Sequence, residues 1–169
     1  VALSRIEERK DAVSKPASFL SCFALLKNAY ILMMVMGILV YVGAEMCVNS
    51  QVSIYLSEKF EIDLLTWGIL GNSFFFICLF IGRLAGSFVL EWLRPAKFLM
   101  FTVLIAIAGL LGLMLAPDKH VAIVSIMLVA LGYANVFPLI FSITIDSMPE
   151  RSNEISGLMV TAIVGGALF

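Results

Sequence analysis

An all-α integral membrane bundle is the fold class this sequence predicts, and three observations predict it. Five long apolar runs divide the chain, roughly Asn28–Leu56, Leu64–Leu90, Phe98–Ala116, Val121–Ile145 and Ile155 to the end. A bilayer core about 30 Å thick needs about 20 apolar residues in a helix, and each of the first four runs supplies that. Hydrophobic residues make up 62 % of the 169 residues and charged residues 14 %, with a mean hydropathy of +1.06. A soluble domain of this size must cover its surface with polar groups, so a water-soluble fold is excluded. The loops between runs are short, which makes neighbouring helices antiparallel. The fifth run is still apolar at Phe169 and the chain opens on Val1, so a piece of a longer protein is expected.

Taken in order, Val1–Lys15 is polar and charged and reads as a cytoplasmic linker. Pro16 opens a stretch in which Phe19, Leu20, Phe23 and Leu26 recur at helical spacing. That pattern fits an amphipathic helix lying in the membrane interface, or equally a downward extension of the first spanning helix. Residues 1–27 are thus expected as linker and 28–169 as five transmembrane helices. Basic residues alternate rich and poor. Arg5, Arg9, Lys10, Lys15 and Lys27 precede the first run, Lys59 stands alone in the first loop, and Arg83, Arg94 and Lys97 mark the second. The positive-inside rule then puts the N-terminus of this chain in the cytoplasm. Trp67 and Trp92 lie near opposite ends of the second run, where interfacial aromatics belong. Pro117 and Pro149 follow the third and fourth runs as helix terminators. Gly82 and Gly86 form a GxxxG pair predicted to pack against a neighbouring helix. Pro138, inside the fourth run, lacks an N–H and clashes with the carbonyl of Ala134, so a bend is predicted there.

Several function classes are excluded at this point. The net charge of −1 and the absence of a basic cluster interleaved with aromatics argue against a nucleic-acid partner. Cys22, Cys47 and Cys78 lack CxxC spacing and read as small packing residues. His120 has no second ligand in view and reads as a solvated loop residue. No Ser/His/Asp set, HExxH or phosphate-cradling loop is present, so neither an enzyme nor a cofactor is expected.

Chemistry concentrates in polar groups inside the apolar runs. Glu45 sits near the middle of the first run, where a carboxylate costs several kcal/mol unless it meets water or a partner. Tyr41, Glu45, Asn49 and Ser53 recur every four residues, so they share one helical face and suggest the wall of an aqueous cavity. The alternative is a glutamate satisfied by a neighbouring helix. No Lys or Arg of this chain is expected at its depth, so a charged Glu45 calls for a cation from elsewhere. Asn72 and Asn135 lie at comparable depth, either as ligand contacts or as interhelical hydrogen bonders. Arg83, Glu91 and Arg94 mark the cytoplasmic end of the second run. They read as snorkelling residues or as a charge latch to Glu150 and Arg151, with Pro138 as a hinge.

The segment FIGRLAGSFVLEWLRPAKFL resembles the loop between the eighth and ninth helices of major facilitator transporters. YVGAEMCVNSQVSIYL, GYANVFPLIFSI and EISGLMVTAIVGGALF resemble the seventh, tenth and eleventh helices of the fucose permease group of sugar–proton symporters. The resemblance runs collinearly from about Asn28. It implies a major facilitator-type bundle, a partial C-terminal half whose runs are helices seven to eleven of twelve. It also implies a small-molecule sugar and protons as what is carried, a lipid bilayer around it, and an N-terminal six-helix half as partner, in a bacterial cytoplasmic membrane. In that group the acids assigned to proton coupling lie in the N-terminal half, and glutamate at position 45 is similar to the glucose/galactose branch. Substrate sits near the midplane between halves that rock. The resemblance makes Glu45, Asn49, Asn72 and Asn135 this half's sugar or proton contacts, with Tyr41 or Phe137 as an aromatic platform. A facilitator or exporter of another small solute, or a non-transporting membrane sensor, is the competing reading.

Overall fold

The computed structural model describes residues 19–61, 63 and 69–168. The linker Val1–Lys15, Pro16 and the Trp67 anchor lie outside the described residues. Helix α1 (Phe19–Leu25) is short and is followed by α2 (Ala29–Phe60), α3 (Ile69–Val89), α4 (Pro95–Met114), α5 (Lys119–Tyr133), α6 (Val136–Ser147) and α7 (Ser152–Gly166), with a 3-10 turn at Pro149–Arg151. Among the described residues four stretches are long and apolar enough to cross a membrane: Ala29–Phe60, Asn72–Val89, Pro95–Met114 and Lys119–Ser147.

Local chemistry sets the ends. Asn28 caps α2, its side-chain oxygen accepting from the Tyr30 N–H at 3.0 Å. At 32 residues α2 spans about 48 Å and overshoots a bilayer core of about 30 Å. It stops at Glu61, whose φ of 53° is left-handed and cannot continue a helix. Pro95 opens α4 where its missing N–H is harmless. Asp118 caps α5 by accepting from the N–H groups of His120 at 2.9 Å and Val121 at 3.0 Å. Trp92 is 90 % exposed on the α3–α4 turn, as an interfacial anchor should be.

The fourth apolar run is two helices rather than one. It is interrupted at Ala134 and Asn135, where α5 stops and α6 begins. Pro138 is the physical reason, because it has no N–H to offer the carbonyl of Ala134 four residues back. This interrupted span is also the centre of the bundle. Of its most apolar stretch 61 % is buried, against 22 % for α4. α4 lies so close to α5 that a Cβ on Gly132 would come within 2.5 Å of the Ala106 nitrogen and 2.7 Å of its Cα. α7 covers α2, with Ile155, Met159 and Ala162 buried, and α1 reaches α7 where Arg151 donates to the Ser21 carbonyl at 3.4 Å. Outward faces of α3 and α4 remain apolar: Phe76, Phe80, Leu84 and Phe88 on one, Met100, Leu104 and Leu111 on the other are exposed. Such faces suit lipid.

Candidate functional site

The interruption between α5 and α6 organises the polar chemistry of the bundle. An uninterrupted helix would satisfy the carbonyls of Tyr133 and Ala134 with the N–H groups of residues 137 and 138. Pro138 has none, and the break takes the other out of register. Two side chains from other helices fill the gap. The Tyr41 hydroxyl of α2 donates to the Tyr133 carbonyl at 2.7 Å, and Arg83 Nε of α3 donates to the Ala134 carbonyl at 3.2 Å. A third tie comes from the break itself, where Asn135 Nδ2 donates to the Gly82 carbonyl at 2.8 Å. Asn135 fits there because Gly86 has no side chain: a Cβ would collide with its amide. Gly82 lies equally close to Ala134. The GxxxG pair therefore packs against the break.

Glu45 stands one helical turn beyond Tyr41 and is paired. Arg83 Nη2 is 3.9 Å from Glu45 Oε1, with the Glu45 side chain 12 % exposed and that of Arg83 51 %. At that distance the contact is charge against charge rather than a hydrogen bond. This corrects the expectation that no cation of this chain reaches the depth of Glu45. Arg83 is long enough to bring its head inward from α3, so its position along the sequence understates its reach. It also separates Arg83 from Glu91 and Arg94, the other residues of the expected latch. Glu91 and Arg94 stay exposed on the α3–α4 turn, and Arg151, at the N-cap of α7, pairs with Glu154 in the first turn of that helix. Among the described residues no ion pair joins the α3–α4 turn to the α6–α7 turn.

The remaining stripe is uneven. Tyr41 is 8 % exposed and turned into the bundle, its ring edge-on to Tyr133 with centroids 5.5 Å apart, rather than on an open polar face. Asn49 Oδ1 is enclosed and accepts no hydrogen bond from any described residue. Ser53 Oγ donates to Asn72 Oδ1 at 3.2 Å, fastening the next turn of α2 to α3. Phe137 is half-buried and packs its ring on Phe141 at 5.7 Å, while Pro138 is exposed beside Arg83, Ser87 and Ser142 on a cavity of about 230 Å³. The structure therefore unites Tyr41, Glu45, Arg83 and Asn135 around one break, with Asn49, Ser53 and Asn72 stacked along the α2–α3 seam. Glu91, Arg94 and Phe137 stand apart. Tyr133 and Ala134 contribute through their carbonyls, which residue type cannot reveal; the proline four residues beyond Ala134 is the signal that could have found them. Among the described residues no cluster of metal-ligating side chains occurs.

Comparison with known proteins identifies the family and the fold. The model of the Major Facilitator Superfamily matches residues 2–169. A glucose/galactose transporter of Brucella abortus is 32 % identical over 133 residues, covering 78 % of this chain and 32 % of that protein. The L-fucose-proton symporter of Escherichia coli is 31 % identical over 130 residues, covering 76 % of this chain and 29 % of that protein. The chain thus spans about a third of the length of the curated relatives it matches. A crystal structure of the Escherichia coli fucose:proton symporter superposes with a TM-score of 0.79 at 26 % identity, covering 89 % of this chain and 37 % of that one.

Proposed function

The chain belongs to the major facilitator superfamily, and on that premise we propose that it forms part of one half of a secondary transporter for a hexose-type sugar. Its relatives are transporters by name, which supports a carrier rather than an enzyme. We assign proton-coupled import by alternating access, in a bacterial cytoplasmic membrane, with a complementary six-helix half as partner. Residues 1–27 are the cytoplasmic linker in this reading, and 28–169 are helices seven to eleven of twelve.

The observation that carries the proposal is the Glu45–Arg83 pair, set among apolar helices beside the enclosed acceptor of Asn49. A carboxylate and a guanidinium side by side suit neighbouring sugar hydroxyls, one donating to Glu45 and the next accepting from Arg83. Asn49 and Asn72 extend the same polar line along α2 and α3. With Tyr41 turned inward, a sugar ring stacked on Phe137 would have to reach it outside the polar cluster, where it packs on Phe141. Asn135 shapes the site from behind through Gly82. Glu45 acts as a sugar acceptor rather than as the proton carrier, because Arg83 already supplies its counter-charge.

Glu45→Gln tests this, since it keeps shape and hydrogen-bonding capacity while removing the charge. Reconstituted into vesicles as the intact transporter, the variant should retain proton-driven accumulation of glucose, galactose or fucose with a weakened affinity. Loss of uphill accumulation with intact sugar exchange would make Glu45 the proton carrier and overturn the assignment.

A further inference from the structure

Three consecutive residues at the break, Tyr133, Ala134 and Asn135, are each tied to another helix by a side-chain hydrogen bond. Two of the three ties share a neighbour. Arg83 faces Glu45 with Nη2, 3.9 Å away, while Nε holds Ala134, and the Tyr41 hydroxyl that holds Tyr133 belongs to the residue one helical turn before Glu45 on the same face of α2. Tyr41 has a single proton to donate, and Arg83 has a fixed fork that cannot point fully both ways. Glu45 and the two carbonyls of the break therefore compete for the same donors.

We propose that Tyr41 and Arg83 are positioning residues through which the occupancy of Glu45 sets the stiffness of the α5–α6 break. With Glu45 unoccupied, its carboxylate pulls on the two donors and weakens, without breaking, their hold on the carbonyls, so the break opens more readily. A ligand hydroxyl donating to Glu45 satisfies the carboxylate, leaves both donors to Tyr133 and Ala134, and stiffens the joint between α5 and α6. Asn135 is outside this competition, because its bond goes to Gly82 and keeps the break seated on α3 in both conditions. The identity of the ligand rests on the hexose reading above. The link between Glu45 and the break does not.

The test is a mutant cycle read by amide hydrogen exchange at Leu139 and Ile140 in the intact transporter. The Leu139 N–H donates to the Asn135 carbonyl across the start of α6, so it reports opening of the break. Tyr41→Phe and Arg83→Lys keep ring packing and charge, respectively, while weakening the caps, and each should speed exchange. Glu45→Gln removes the competing charge and should slow exchange about threefold. That protection should vanish in the Tyr41→Phe/Arg83→Lys background, where no shared donor is left to return. Protection by Glu45→Gln that survives in that background, or faster exchange in Glu45→Gln alone, overturns the proposal. Should the combined variant fail to fold, Tyr41→Phe alone decides, because the effect of Glu45→Gln must shrink in it. Saturating D-glucose, D-galactose or L-fucose should reproduce the protection in the wild type. Absence of any sugar effect beside an intact mutant cycle leaves the coupling standing and overturns the hexose reading.

Discussion

Two seams meet along the interrupted α5–α6 span, and both are built on glycine. On the α4 side, Gly132 presses against the Ala106 backbone and Gly109 lies as close to Val129, with a Cβ on Gly109 coming within 2.7 Å of the Val129 nitrogen. On the α3 side, Gly82 and Gly86 receive Ala134 and the Asn135 amide. At Gly132 and Gly109 the first is backbone on backbone, so those two contacts have little that can rotate to relieve a change, whereas at Gly112 the seam meets the Ser125 hydroxyl. The second holds side chains that turn, donors that can be redistributed and a charge pair. Close approach serves immobility in one seam and an adjustable polar contact in the other.

The largest expected effect breaks the adjustable seam by leaving a charge behind. Arg83→Ala strands Glu45, which is 12 % exposed, and uncaps Ala134. Stranding a buried partner costs about 3–5 kcal/mol, and the half-exposed Arg83 puts this pair near the low end. Replacing both as Glu45→Gln/Arg83→Gln should cost less than Arg83→Ala alone, measured by thermal unfolding in detergent. Additive losses would mean that the two residues do not act as a pair.

Next comes a direct contrast of the glycines. Gly132→Ala places its methyl against the Ala106 backbone and should cost about 2–3 kcal/mol of stability, the upper range for overpacking. Gly86→Ala meets the end of the Asn135 side chain, which can swing aside at the loss of one hydrogen bond, about 1 kcal/mol. Equal losses of melting temperature in the two variants would erase the distinction between the seams. On the proposed sugar-carrier reading a further separation is expected in the intact transporter, where Gly86→Ala should slow sugar exchange more than its loss of stability explains.

How much of this was legible in the residues differs by level. The helices were, because runs of about 20 apolar residues admit few alternatives. Pro138 announced the interruption, and Gly82–Gly86 announced a close approach. The four-residue spacing of Tyr41, Glu45, Asn49 and Ser53 placed them on one face, yet could not say that Tyr41 turns inward to Tyr133 while Asn49 keeps an acceptor that no described residue pairs. Arg83 was hardest to place. Its charge and its neighbours Glu91 and Arg94 drew it toward the cytoplasm, whereas the length of its side chain and the carbonyl freed by Pro138 draw it to Glu45. Acceptors made available by a broken backbone have no signature of their own in residue type, so the site was visible in its carboxylate and amides and invisible in its carbonyls.

The smallest expected effect lies at the watery end of the immobile seam, where Asp118 caps α5. The N–H groups of Val121 and His120 hold its carboxyl below the ordinary carboxylate range, the Val121 bond most strongly, and a charged His120 beside it acts the same way. A folded-state value lowered in this way contributes stability above the unfolded value of about 3.9, and the contribution is lost as pH falls through the folded value. Above pH 5 the cap is therefore complete and further alkalisation should do nothing. Below about pH 4 the first turn of α5 should fray, with faster amide exchange at His120 and Val121 after correction for intrinsic rates. Asp118→Asn keeps an accepting oxygen in the same place and should flatten this pH dependence while leaving the cap in place. Fraying of that turn at low pH in both the wild type and Asp118→Asn would assign it to some other group. If it spread to Gly132 and Ala106, the immobile seam would be open to adjustment after all, and the contrast between the two glycine seams would fail at the place where it is most exposed to water.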